Sequence, residues 1–165
     1  MNIRGAVVLA VGFLAVTLGY SRLGETEAEL FKRFGAPTGN SKHFIFAQGK
    51  MVALGPERLF RQGDWSITCD LVDGRCMRIN YSKPGDWSED QIQLVLNSNG
   101  QGAKWTEEPK SAVPGLKRVW RRTDGSTATW QKGLGMFLTW SAYDKAKTKA
   151  EEQARNEALM QKPKI

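Results

Sequence analysis

The alternation around one tight turn constrains this chain more than any other feature. In DWSITCDLVDGRCMRINYS, residues 64 to 82, apolar residues recur at Trp65, Ile67, Cys69 and Leu71, and again at Met77, Ile79 and Tyr81. Asp-Gly between two alternating runs is a strong short-range hairpin signal. A two-residue turn at Asp73-Gly74 pairs Val72 with Arg75 and throws the two apolar sets onto opposite faces. A three-residue loop Val72-Asp73-Gly74, with glycine left-handed, puts both sets on one face, and burial favours it. That register sets Cys76 across from Asp70, facing away from Cys69. Such a register argues against a disulfide, whereas two cysteines outside a reducing compartment would be expected to pair, and the two arguments conflict.

A second hairpin repeats the device. KRVWRRTDGSTATWQK, residues 117 to 132, turns at Thr123-Asp124-Gly125. The analogous loop pairs Trp120 with Ala128 and Arg118 with Trp130. Arg118, Trp120 and Arg122 then share one face, and Val119 and Arg121 the other. Neither face is cleanly apolar, which leaves two readings open. In one, Arg118 stacks on Trp130 while the remaining guanidiniums stay solvated and guard a sheet edge. In the other, Arg118, Trp120, Arg121, Arg122 and Trp130 form an aromatic and guanidinium platform for a phosphate or carboxylate.

Helices precede each set of strands. Thr26 and Glu29 make a capping box, Leu30 and Phe34 fall on one face, and Gly35 with Pro37 stops the run, which predicts a helix over 27–34. HFIFAQ, residues 43 to 48, reads as a strand, whereas the stretch from Gly49 to Gly63 has no clean period apart from Leu59 and Phe60. Ser88 and Gln91 cap a second helix that buries Ile92, Val95 and Leu96. Met136, Leu138, Trp140 and Ala142 form the inward set of a later strand. The chain closes on a helix whose only stripe is Ala146, Ala150, Ala154 and Ala158. The expected class is α+β, an antiparallel sheet with helices packed on one face, in two loosely duplicated halves followed by a C-terminal helix.

MNIRGAVVLAVGFLAVTLGYS opens with Arg4 and an uncharged apolar run from Ala6 to Leu18. A bilayer span needs about 20 apolar residues, so residues 1–21 read as a signal peptide, with a retained anchor or a buried core helix as the alternatives. The expected divisions are this leader, one domain over 22–142 and a C-terminal helix or tail over 143–165. The formal charge of +7 draws the chain toward polyanions. Outside the cytoplasm, periplasmic or secreted, these are lipid headgroups, acidic glycans and envelope polymers, and nucleic acid is not expected.

Catalytic chemistry finds little purchase. His43 is the only histidine, so no zinc set forms and no serine triad has a second candidate base. Glu107 and Glu108 are adjacent, with no acid placed opposite them. No cofactor, no metal and no enzyme activity are expected.

The capped helix, its stop at Phe34-Gly35-Ala36-Pro37 and the strands that follow resemble small bacterial envelope modules of the BamE/SmpA type and the tandem repeats of beta-lactamase-inhibitor proteins. The Thr-Glu-Ala-Glu-Leu helix start is similar to that of other small exported proteins. The match covers about a dozen residues and the order of elements. BamE-like proteins carry a lipid on a cysteine, and no cysteine follows the apolar run here. What the resemblance implies is a binding role in the envelope. The expected function is an exported, non-enzymatic interaction module for a protein or an acidic envelope component. The alternative is an inhibitor-like or structural protein acting through loops, including 49–63, on an exported enzyme.

Overall fold

The computed structural model describes residues 22–160; the leader reading falls on residues outside that range. Eight strands form one antiparallel sheet, in the order β1-β2-β3-β4-β8-β7-β6-β5. In chain order the elements are α1 (Glu27–Phe34), β1 (Gly39–Ala47), β2 (Lys50–Gln62), β3 (Trp65–Val72), β4 (Arg75–Ser82), α2 (Glu89–Ser98), β5 (Trp105–Glu107), β6 (Lys117–Arg122), β7 (Thr127–Gln131), β8 (Gly135–Thr139) and α3 (Ala142–Met160). A helix followed by a four-stranded meander thus occurs twice, and the two meanders join where β4 pairs with β8.

Both capping boxes form: the Thr26 and Ser88 hydroxyls accept from the backbones of Glu29 and Gln91, whose side chains reach back to the cap N–H groups. Each satisfies two backbone donors that the first helical turn leaves unpaired. Leu30 from α1 and Ile92, Val95 and Leu96 from α2 share a core with Phe60, Ile67, Ile79, Tyr81, Met136 and Leu138. A smaller cluster of Val72, Met77 and Tyr143, with Leu54 and Ala146 against it, joins α3 to the sheet. Val72 follows Leu71 of the main core, and consecutive strand residues point to opposite faces. The three helices therefore do not all lie on one face: α3 lies across the side that α1 and α2 leave open.

The β3–β4 hairpin corrects the expected register. Val72 pairs with Arg75 across a two-residue turn, and φ is 50° at Asp73 and 73° at Gly74. These are the left-handed values of a type I′ turn, which suits strand twist. The face conflict is resolved lower down. Leu71 pairs with Cys76 and Asp70 with Arg78, so an extra residue bulges from β4 and restores the parity. Cys69 pairs with Ile79 and Ile67 with Tyr81 on one apolar face. Cys76 consequently faces Leu71 and not Asp70, and both thiols lie in the main core. The argument that placed them on opposite faces does not apply to this hairpin.

In contrast, the β6–β7 hairpin has the expected register, Arg118 with Trp130 and Trp120 with Ala128. Residues 49–63, without clean period in the sequence, are mostly strand β2. Its ladder to β3 ends at Glu57 with Asp70, yet β2 continues to Lys50 paired with β1 alone. Residues 44–53 thereby form a two-stranded arm beyond the body of the sheet. The described chain enters at the same end: Gly24 N–H donates to Cys76 O, and Thr26 bridges to Arg75 beside the Asp73-Gly74 turn.

Candidate functional site

Three regions hold the chemistry, and the arginine hairpin comes first. Arg118 lies over the Trp120 ring at 4.8 Å, not over Trp130. It donates to both Glu107 oxygens at 2.8 and 2.9 Å and to Glu89 at 2.5 Å. Its hydrogen bonds hold the Glu89 and Glu107 carboxyls below their usual range. Arg121 pairs with Glu108 at 2.7 Å. Arg122 is 3% exposed. It donates to Asp124 at 3.0 and 2.6 Å, to Asn99 O at 2.6 Å and to Ser126 Oγ at 3.2 Å. Trp105 supplies a ring face 5.3 Å from its guanidinium carbon. Trp120 is buried, and Trp130 is half-buried against the main core. The structure brings the five sequence candidates together, but each guanidinium already faces a carboxylate of the same chain.

A second cluster lies under the start of α3, and it was missed because its members are scattered along the chain. His43 from β1 stands 3.3 Å from Asp70 Oδ2 through Nδ1 and 2.7 Å from the Tyr143 hydroxyl through Nε2. Asp70 only accepts when ionised, so Nδ1 carries the proton and Nε2 accepts from the tyrosine. Arg78 reaches Tyr143 OH at 3.4 Å and Asp70 Oδ2 at 3.5 Å, and its guanidinium lies over the Tyr143 ring. Glu57 pairs with Asp70 across the β2–β3 ladder and accepts from Ser41 Oγ at 2.5 Å.

Burial sets the electrostatics of this cluster. It lowers the His43 pKa, Arg78 lowers it further, and Glu57 opposes them, so the imidazole is neutral at pH 7. Burial pushes the Asp70 carboxyl up, Arg78 draws it down and Glu57 pushes it up again, to about 6. The result is a hydroxyl–imidazole–carboxylate chain, the arrangement that activates nucleophiles elsewhere. Here Tyr143 is 7% exposed, so the relay ties α3 to the sheet and does not present a reactive oxygen. The sequence did carry one signal: Asp70 and Arg78 are both out of phase with their apolar neighbours, which puts charge on the opposite face of adjacent strands.

The third region is the arm. Phe44, Phe46 and Met51 are 43%, 71% and 65% exposed, and Phe46 sits directly opposite Met51. Ile45 and Ala47 point the other way and are buried. The last turns of α3 lie alongside, with Ala154, Glu157 and Ala158 sharing a crevice with Gln48, Lys50 and Met51. Leu159 and Met160, which follow, are exposed. Between Gly39 and Pro56 the chain carries Lys42 and Lys50 and no carboxylate.

No protein-family model, curated protein or solved structure matches this chain.

Proposed function

We propose that the chain is an exported, non-catalytic interaction module that docks on an anionic lipid surface of the cell envelope. The observation that carries this reading is the arm, where exposed Phe44, Phe46 and Met51 share a cationic, acid-free stretch of strand. Monomeric proteins rarely leave a contiguous apolar patch uncovered unless it meets a partner. Aromatic and apolar side chains flanked by lysines suit the boundary between acyl chains and anionic headgroups, where lysine stems lie along apolar surface with the ammonium in water. The apolar run of residues 6 to 18, read as an export leader, supports an envelope setting. Arg121, exposed on β6, is the hairpin cation most open to an anionic component.

Vesicle flotation tests the proposal. The protein is expected to float with vesicles containing phosphatidylglycerol and to remain in solution with pure phosphatidylcholine. F46E/M51E is expected to abolish flotation, and an unaffected double variant would refute the reading.

A second reading rests on a different observation. The row Ser41, Glu57, Asp70, Arg78, Thr139, Thr127, Arg121 and Thr106 crosses all eight strands on the face away from α1 and α2. A broad polar sheet face built from two like halves suits an inhibitor-like contact with another protein. In that case F46E/M51E leaves binding intact, while T127E/T139E abolishes it.

A further inference from the structure

The donors of the His43 cluster converge on one oxygen of Asp70 and leave the other unused. His43 and Arg78 both approach Oδ2. Oδ1 is buried and receives no N–H or O–H donor, the Glu57 carboxyl being the side chain within hydrogen-bond reach of Asp70, and Asn80 Oδ1 on the neighbouring strand is likewise buried without a partner. Asp70 is 7% exposed. A buried acceptor left without a donor is destabilising, and here two of them face the same space. Both line a cavity of about 170 Å³ with Glu57, Thr68 and Phe137. That volume admits a small polar group with a short alkyl stem.

The charge around the cavity fixes the sign of what enters. Its titratable groups are His43 on β1, Glu57 on β2, Asp70 on β3 and Arg78 on β4, with Tyr143 of α3 behind them. His43 is neutral, so two carboxylates face one guanidinium and the balance is negative at pH 7. Arg78 lies over the Tyr143 ring and 3.5 Å from Asp70 Oδ2. The inner wall offers the acceptors Asp70 Oδ1, Asn80 Oδ1 and the Glu57 carboxylate, with the Thr68 hydroxyl and the Arg78 guanidinium as the donors that line it.

We propose that this cavity binds a primary alkylammonium group, with its three N–H donors shared among Asp70 Oδ1, Asn80 Oδ1 and Glu57 and its first methylenes against Phe137. An ammonium supplies three donors and the missing positive charge at once; a neutral hydroxyl supplies one donor and no charge. The ammonium can belong to a free amine or to an ethanolamine-type headgroup, whose phosphate would then lie toward Arg78. This site uses residues other than the exposed face of the arm, and either proposal can fail alone.

The test is a titration of isotope-labelled full-length protein by two-dimensional NMR at pH 7.5 with n-propylammonium, O-phosphoethanolamine and, as neutral isostere, n-propanol. Propylammonium is expected to shift the amides of Thr68, Asp70 and Asn80 saturably, and propanol is not. Tighter binding of phosphoethanolamine assigns the headgroup source, and tighter binding of propylammonium the free amine. D70N and N80L, which remove the charge and fill the cavity, are each expected to weaken binding at least tenfold. Lowering the pH to 5 weakens it in the wild type as Asp70 takes up a proton. Equal responses to propylammonium and propanol, or binding unchanged in N80L and D70N, would overturn the assignment.

Discussion

Replacing Arg122 with methionine separates a structural guanidinium from a ligand-gripping one. Arg122 belongs by sequence to the cationic hairpin, yet its side chain is 2% exposed and its donors are spent on Asp124, Ser126 and Asn99 O just past the end of α2. Removing one partner of a buried charged pair commonly costs about 3–5 kcal/mol. Asp124 is 38% exposed and can rehydrate, which moderates the loss. The Asn99 carbonyl loses a 2.6 Å charged donor and is left under-satisfied. Methionine keeps some packing against Trp105, so the expected loss is about 3 kcal/mol. Urea denaturation followed by tryptophan fluorescence reads this as a lower midpoint at unchanged slope.

The acid limb provides a second readout. The hydrogen bond from Arg122 holds the Asp124 carboxyl well below its usual 3.8. Its contribution is therefore present above pH ~4 and lost as the pH falls further; R122M is expected to lack that acid-dependent loss. R121Q, at an exposed surface pair, is expected to leave the midpoint unchanged. A loss below about 1 kcal/mol in R122M would refute the structural assignment and return Arg122 to the set of available surface cations.

Two further substitutions probe the sheet. D70N is expected to gain stability relative to the wild type as the pH rises. The native Asp70 pKa is raised from 3.8 to about 6, so its contribution is full below 3.8 and is lost through 6. Two pKa units set an upper bound of about 3 kcal/mol, reduced because Arg78 loses a partner. His43 acts in the opposite direction, with a lowered pKa and a contribution that fades on acidification below 6.5. Denaturation curves at pH 4 and 7.5 should therefore show D70N retaining only the acid-side loss, and a pH-independent difference from wild type would contradict the assignment. G55A is expected to cost ~1–3 kcal/mol or more, because a Cβ at Gly55 collides with Leu71 O where β2 passes the end of β3. Its measurement is the same urea midpoint, and wild-type stability would argue against that close approach.

How much of this was legible depended on what fixes each element. The caps at Thr26 and Ser88 are local chemistry, and α1 has the bounds read from its sequence. The register of the second hairpin was also readable. The first was not, because a bulge resets alternation without leaving a residue type behind: pattern demanded that the two apolar sets share a face but could not say whether turn or strand supplies the extra residue. Strand β2 escaped because Gly55-Pro56 interrupts its period where it passes from arm to sheet. The His43 cluster was invisible for another reason. His43 and Tyr143 are 100 residues apart, and only the order of strands brings them together. Conversely, the arginines stood out in the sequence, but their carboxylates came from elsewhere in the fold.

The hydrogen bonds of Leu23 bear on when folding can finish. Leu23 N–H donates to the Asn99 side chain across 76 residues, and Gln101 donates to the Leu23 carbonyl. Asn99 in turn holds Tyr81 OH, and its carbonyl receives Arg122. The first residues of the described fold are thus clasped by the second half, and closing such long loops is slow compared with forming local hairpins. Asn99 and Gln101 lie 76 and 78 residues downstream of Leu23, so the clasp cannot close until the second half of the chain is in place.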